Sequence, residues 1–287
     1  MPFTANGVGD VFVDLIPSDF CTGVKMQTGC VLEICVESLE RAAAAERGGA
    51  DRVELCSDLS SGGVTPSAAL MRAARRHVQI PIHVLIRPRA GDFVYSHAEF
   101  ETMQRDIRMA KKLGMDGIVV GVLDDTRQVD VKRNRALIKL AHPLPVTFHR
   151  AFDSCRNLAA GLQAVIETGA SRILSSGGKA RVSDGLSTLA DLVAKAGDRI
   201  VIMPGGSVRA SNVQRILEET HAREIHSSLV TAHESDKAGH PGADRGRNAS
   251  EFERRVRKVR RLLEALSCDP LHPGSAGDTV QCRSYGH

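Results

Sequence analysis

Several features are missing from this sequence of 287 residues, which contains no tryptophan and only 3% aromatic residues. No apolar run reaches the about 18 residues of a membrane-spanning helix, so we expect no membrane partner. The first residues do not place a basic segment before an apolar one, so a secretory signal is not predicted. The basic segment 254–261 contains no aromatic residue. Because single-stranded nucleic acid stacks on aromatic rings, we also expect no nucleic-acid partner.

Cysteines are present, but their number and spacing do not suggest a disulfide framework. The chain has seven, an odd number scattered over its whole length. Reduced thiols are typical of cytosolic proteins, so we predict a cytoplasmic location, with an additional presence in the nucleus left open. The 42% hydrophobic and 25% charged residues are ordinary for a globular protein with one closed core.

Short runs rich in valine, isoleucine and leucine alternate with amphipathic segments from residue 30 to about residue 267. The predicted strands are residues 31–36, 51–56, 82–86, 117–122, 145–149, 172–175, 200–203 and 224–226. Helical spacing of apolar residues is evident in 39–47, 67–77, 99–113 and 158–168. Eight strands each followed by a helix predict a single (β/α)₈ TIM barrel of the α/β class. An open doubly wound sheet is the alternative.

An internal repeat supports this alternation. The segments 49–53, 114–118 and 169–173 each begin with glycine and connect a helix to a strand, and 220–225 is a degenerate fourth copy. Glycine suits the left-handed conformation that ends many helices.

The sequence divides into three predicted regions. Residues 1–29 are predicted to be a flexible extension, 30–267 the barrel and 268–287 a disordered tail rich in proline and glycine. The polar stretch 232–248 is predicted to be a long loop on the side of the barrel where such folds carry their sites.

Two strands carry the same Glu-x-Cys pattern. Side chains alternate along a strand, so Glu33 and Cys35 share one face, as do Glu54 and Cys56. The opposite faces are apolar and suit the ring of helices, which leaves both pairs pointing into the barrel. Two neighbouring thiolates can hold Cu(I). Alternatively, both cysteines are small buried core residues.

Charged residues follow the third and fifth strands, at the end where barrel enzymes keep their sites. The candidate catalytic residues are Glu33, Glu54, Arg87, Arg89, His149 and Asp153. Inward carboxylates need partners, so Arg87, Arg89 and Arg150 could equally neutralise them in a buried network. Three late strands end in small turns, and Gly205, Gly206 and Ser227 are candidate anion-binding residues.

These segments together resemble the CutC family, the copper homeostasis proteins. The similar motifs lie in order over roughly residues 31–230. They are 32–35 (LEIC), 48–56 (GGADRVELC), 62–67 (GGVTPS), 86–89 (IRPR), 146–153 (VTFHRAFD), 203–206 (MPGG) and 226–228 (HSS). Ala90 departs from the family pattern, which usually has a second glycine there, and the likeness fades beyond Ser228.

The resemblance implies a barrel fold, a homo-oligomer and a copper site. Cys35 and Cys56 correspond to the cysteines proposed as Cu(I) ligands in the family. Two hypotheses therefore stand: a copper-binding homeostasis protein, and a TIM-barrel enzyme acting on a small anionic or phosphorylated metabolite.

Overall fold

The computed structural model describes residues 29–229 and 245–267, which form strands and helices in strict alternation. The strands are β1 (Val31–Val36), β2 (Arg52–Leu55), β3 (Ile82–Leu85), β4 (Gly117–Val120), β5 (Val146–Phe148), β6 (Arg172–Ser175), β7 (Val201–Pro204) and β8 (Glu224–Ser227). The helices are α1 (Leu39–Arg47), α2 (Ala68–His77), α3 (His97–Lys112), α4 (Val131–Ala141), α5 (Leu158–Thr168), α6 (Leu186–Ala196), α7 (Val213–Thr220) and α8 (Arg245–Ser267).

The strands form one parallel sheet that curls on itself. Each strand pairs with its neighbour in the chain, and β8 returns to pair with β1. The edge strands β7 and β8 contact each other, which leaves the barrel nearly closed. This confirms the predicted (β/α)₈ barrel and excludes the open sheet, whose two edge strands would not meet. Every predicted strand and helix overlaps an observed one.

Because side chains alternate along each strand, one set faces the surrounding helices and the other faces the interior of the barrel. Outward residues such as Ile34, Val53 and Ile118 are fully buried against the helices. The strand registers stack the inward residues in layers of four, taken from alternate strands. From the amino ends upward these layers are Arg52, Gly117, Arg172 and Glu224; Glu33, His83, Thr147 and Met203; Glu54, Val119, Leu174 and His226; and Cys35, Leu85, His149 and Gly205. The two lower layers are polar and charged.

Glycines make room for the imidazoles in this interior. A Cβ on Gly117 would lie 2.3 Å from Cδ2 of His83, and one on Gly121 would lie 2.5 Å from Nδ1 of His149. Both distances are far below any real contact, so any larger residue at either position would have to displace the ring.

The repeat has the backbone that its glycines predict. Gly49, Gly114 and Gly169 have φ of +90°, +74° and +85°. In the degenerate copy, His221 takes the left-handed position with φ of +53°. The fourth copy therefore keeps the geometry of the turn without its glycine.

Helix α8 closes the ring of helices by packing against α1 and α7. Its Arg260 donates hydrogen bonds to the Gly49 carbonyl and to the Asp51 carboxylate. This arginine of the basic segment thus ties α8 to the β2 end of the barrel.

The predicted extension up to residue 28, the C-terminal tail and residues 232–244 of the predicted loop lie outside the described residues. Residues 245–248 belong to α8, so the prediction of a loop up to residue 248 is wrong at its end. Within the described part of the chain, no helix combines the length and apolar character needed to cross a bilayer.

The repeat turns provide a stability test. Replacing Gly169 by alanine should lower the free energy of unfolding by about 1 kcal/mol, because a Cβ is disfavoured at positive φ. His221→Ala is the matched control, since the left-handed position already carries a side chain there, and it should change stability by less than about 0.5 kcal/mol. Urea unfolding of both variants measures this. Equal losses of stability in the two variants would contradict the proposed need for glycine at position 169.

Candidate metal centre

Two thiols meet near the carboxyl ends of the first two strands. The Sγ atoms of Cys35 and Cys56 lie 3.6 Å apart, and both residues are buried. They form a small apolar cluster of their own with Leu85 and Val119, against which the partly buried Leu59 packs. The hydrogen bond with Cys56, together with burial, raises the pKa of the Cys35 thiol well above its usual value.

The carboxyl group of Glu54 lies beside this pair. Its Oε1 is 3.2 Å from the Cys35 Sγ, which donates to it. Its Oε2 is buried and has no hydrogen-bond partner. Burial raises the pKa of Glu54 above its usual value, although the neighbouring His226 acts in the opposite direction. A buried carboxyl oxygen with no partner is costly, so this group is free to take a ligand.

Below it, the fully buried Glu33 is the centre of an ion network. Its Oε2 lies 2.5 Å from Nε of Arg52, and its Oε1 lies 2.7 Å from Nδ1 of His226. Burial opposes ionisation of this carboxyl group, but Arg52 and the His226 hydrogen bond outweigh it and hold the pKa of Glu33 well below its usual range. Arg52 also binds Glu224, which in turn contacts Arg172.

His226 links the ion network to the thiols. Burial disfavours its charged form, but the Glu33 hydrogen bond and the nearby Glu54 raise the pKa of His226 overall. One ring nitrogen of His226, one oxygen of Glu54 and the Cys35 Sγ all lie within 4.8 Å of one another, and all three residues are buried. Sulfur, nitrogen and oxygen donors therefore converge on one point inside the barrel.

Comparison with known proteins decides the family. The sequence model of the CutC family matches residues 30–231. The human protein named "Copper homeostasis protein cutC homolog" is 46% identical over 207 residues, which cover 72% of this chain and 76% of the human one. A CutC family protein of Xanthomonas campestris strain 8004 is 49% identical over 197 residues, covering 69% of this chain and 82% of the relative. The chain belongs to the CutC family.

Solved structures agree with the barrel. The structure of a CutC protein from Streptococcus agalactiae superimposes with a TM-score of 0.67 at 32% identity, covering 70% of this chain and all of that one. Phosphoribosylanthranilate isomerase from Thermotoga maritima, at 12% identity and a TM-score of 0.52, shares the fold alone.

The arginines expected to neutralise the inner carboxylates do not do so in this CutC chain. Arg87 donates to the backbone carbonyls of Ser61, Gly63 and Gly91. Arg89 pairs with Asp92 and Glu99 outside the barrel, and Arg150 pairs with Asp153. These arginines lie beyond the strand ends, where loop carbonyls and rim carboxylates are nearer than the interior. Instead, Arg52 on the inward face of β2 neutralises an inner carboxylate, that of Glu33. This is the role that was predicted for Arg87, Arg89 and Arg150.

The remaining catalytic candidates of the rim divide into two kinds. The Asp153 carboxylate is saturated: it accepts hydrogen bonds from Ser175, Ser176 and Gly178 as well as from Arg150. His149 is different, because its Nδ1 accepts from the Ala151 amide while its buried Nε2 has no partner. Burial and the nearby Arg87 lower the pKa of His149 to about 3, so the ring is neutral.

The three anion-binding candidates are near one another, and each makes a contact within the fold. Gly205 faces inward, where a Cβ would lie 2.5 Å from Cδ1 of Leu174. The Gly206 carbonyl accepts from the Val182 amide. The hydroxyl of Ser227 is buried and donates to the Val208 carbonyl. Their proposed role as an anion cradle stays a prediction.

Sequence analysis missed Arg52 and His226, the residues that orient the carboxylates. The inward direction of both could have been predicted from the spacing of residues along the strands. Arg52 precedes Glu54 by two residues on the same face of β2, and His226 follows Glu224 by two on β8. Linking His226 to Glu33 additionally required the pairing of β8 with β1.

The interior ion network predicts a large effect of one substitution. Arg52→Met should lower the free energy of unfolding by about 3–5 kcal/mol, because Glu33 then keeps a buried charge without its guanidinium. Adding Glu33→Leu should recover a large part of this loss. The control Arg215→Met removes an exposed pair with Glu219 and should cost at most about 0.5 kcal/mol. Denaturant unfolding tests this, and a small effect of Arg52→Met would contradict the network.

A second prediction concerns acid. The pKa of His149 is about 3 in the folded chain against about 6.5 when unfolded. Between these values the unfolded chain binds the extra proton, so stability should fall as pH decreases below 6.5, by up to about 1.4 kcal/mol per pH unit for this residue. His149→Asn should flatten this slope, because the amide oxygen can accept from Ala151 without titrating. His97→Asn, which replaces an exposed histidine, is the control and should leave this slope unchanged. A slope unchanged in His149→Asn would contradict the neutral buried ring.

Proposed function

We propose that this protein binds Cu(I) through the thiolates of Cys35 and Cys56 and serves copper homeostasis. The observation that carries the proposal is the distance of 3.6 Å between two buried sulfur atoms on neighbouring strands. Two metal–sulfur bonds of about 2.3 Å span such a distance with a bent geometry at the ion.

The surroundings favour this ion over harder ones. Thiolates are soft ligands and select Cu(I). Leu85 and Val119 pack beside the pair, and Leu59 covers it, so the ion would be held away from bulk water. Both thiols must lose their protons on binding, which makes metal affinity depend on their burial and hydrogen bonding.

The family supports the same function. Curated relatives are named copper homeostasis proteins, and the two Glu-x-Cys strands of this chain lie within the matched region. The four cysteines within the described ranges are all free thiols, as a cytoplasmic or nuclear copper protein requires. Assembly into a homo-oligomer, inferred from the family resemblance, stays a prediction.

The alternative of an enzyme acting on an anionic metabolite has less support. Arg87, Arg89 and Asp153, which such a site would need, are engaged in contacts that hold the rim loops. Enzyme activity therefore stays a prediction from the sequence.

Copper titration tests the proposal. The reduced full chain, titrated with Cu(I) in competition with a chromogenic Cu(I) chelator, should bind one equivalent. Cys35→Ser and Cys56→Ser should each weaken binding by at least about 100-fold, because one thiolate is lost from a pair. Cys155→Ser, a half-buried thiol outside the pair, is the matched control and should bind as the parent does.

Two outcomes would overturn this assignment. One is parental affinity in both Cys35→Ser and Cys56→Ser. The other is an equal loss in Cys155→Ser, which would show that thiols bind copper without regard to position. Thermal unfolding of each variant shows whether the barrel remains folded.

A further inference from the structure

The carboxyl group of Glu54 lacks the arginine partner that Glu33 and Glu224 have. Lower in the barrel, the guanidinium groups of Arg52 and Arg172 face the carboxylates of Glu33 and Glu224. Glu54 has no arginine or lysine partner among the described ion pairs, and its Oε2 has no hydrogen bond. An acid in this position is stabilised by any cation that reaches it.

Two further donors lie beside it. The Cys35 Sγ is 3.2 Å from Glu54 Oε1, and a ring nitrogen of His226 completes a group of three donors within 4.8 Å of one another. In a tetrahedral zinc site, with metal–sulfur and metal–oxygen bonds of about 2.3 and 2.0 Å, the sulfur and oxygen lie about 3.5 Å apart. The sulfur–oxygen contact is therefore already close to the separation that a shared ion imposes.

The orientation of His226 supports a role as a ligand. Its Nδ1 is hydrogen-bonded to Oε1 of Glu33 at 2.7 Å, and Glu33 is itself held by Arg52. Because Nδ1 is engaged, Nε2 is the nitrogen left for a metal ion. Metal-binding histidines characteristically donate their other ring N–H to a carboxylate, which fixes the ring and raises its basicity.

We infer that Cys35, Glu54 and His226 form a second metal site, for a divalent ion of intermediate softness such as Zn(II) or Co(II), which shares the Cys35 sulfur with the copper pair. One sulfur, one nitrogen and one oxygen donor form a set that suits these ions. Three protein ligands leave a fourth position to water or to a small ligand. Glu33 acts here as a positioning residue, through His226.

The shared sulfur couples the two metal sites. Cys56 belongs to the thiol pair and not to the group of three donors, whereas Glu54 and His226 belong only to the latter. Two ions bound at once to the Cys35 sulfur would be close together in a buried site, where like charges repel strongly, so we expect Cu(I) and the divalent ion to compete. This competition rests on the proposed copper function, but the divalent site itself does not.

Cobalt titration of the full, reduced, metal-free chain tests the site. Co(II) bound to a thiolate gives a sulfur-to-metal charge-transfer absorption in the near ultraviolet together with visible ligand-field bands. The parent should show these bands with one equivalent of Co(II), and Zn(II) should remove them. Glu54→Gln and His226→Gln should weaken Co(II) binding by at least about 100-fold. His226→Gln, which leaves the Cys35–Glu54 hydrogen bond in place, should change Cu(I) affinity by less than about threefold.

Cys56→Ser is the decisive variant, because its effect should be the reverse of that of His226→Gln. It should bind Co(II) with the charge-transfer band intact and lose Cu(I) affinity, whereas Cys35→Ser should lose both metals. His83→Gln is the matched control, since this buried imidazole lies 3.8 Å from Glu33 but outside the donor group. It should bind both metals as the parent does.

The outcomes separate the two proposals. Parental Co(II) affinity and bands in folded Glu54→Gln and His226→Gln overturn the second site and leave the copper proposal untouched. An absence of thiolate bands in the parent overturns it as well. Normal Co(II) binding in a parent that fails to bind Cu(I) overturns the copper proposal alone. Thermal unfolding curves identify any variant that has lost the fold, and the test then rests on the variants that remain folded, Glu54→Gln in particular.

Discussion

The ion pair between Arg52 and Glu33 fixes the interior of this barrel. Glu33 is fully buried, and Arg52 keeps its carboxylate ionised despite the cost of removing it from water. That carboxylate in turn holds the ring of His226 through Nδ1. The two layers above, which contain Glu54, His226 and Cys35, therefore rest on charged groups that have little freedom to rearrange. The positions of the three proposed donors follow from this ion network.

Closure of the barrel brings residues of β1, β2 and β8 together in one site. β1 and β2 supply both thiols and both inner glutamates, and their register places Cys35 opposite Glu54. β8 supplies the histidine, and its register with β1 places His226 opposite Glu33. Without the pairing of β8 with β1, the thiol pair would remain but His226 would be separated from it. The same closure explains Gly205, since a Cβ there would meet the side chains of Leu174 and His226.

Much of this could be predicted from the sequence, because period-two alternation is a local property. It indicated that Glu33, Cys35, Glu54 and Cys56 face inward, and the glycines of the repeat marked the turns before β2, β4 and β6. The partners of the carboxylates could not be derived in the same way. His226 lies 193 residues from Glu33, so their contact depends on barrel closure. The prediction of Arg87, Arg89 and Arg150 as these partners was wrong. Residues beyond a strand end bind the nearest loop groups, and the sequence alone does not locate those groups.

The central claim is that copper is bound by sulfur from both of the first two strands. X-ray absorption at the copper edge of the full chain loaded with one equivalent of Cu(I) tests it directly. The account predicts two sulfur atoms as the nearest neighbours of copper. A first shell of nitrogen or oxygen with at most one sulfur would contradict it.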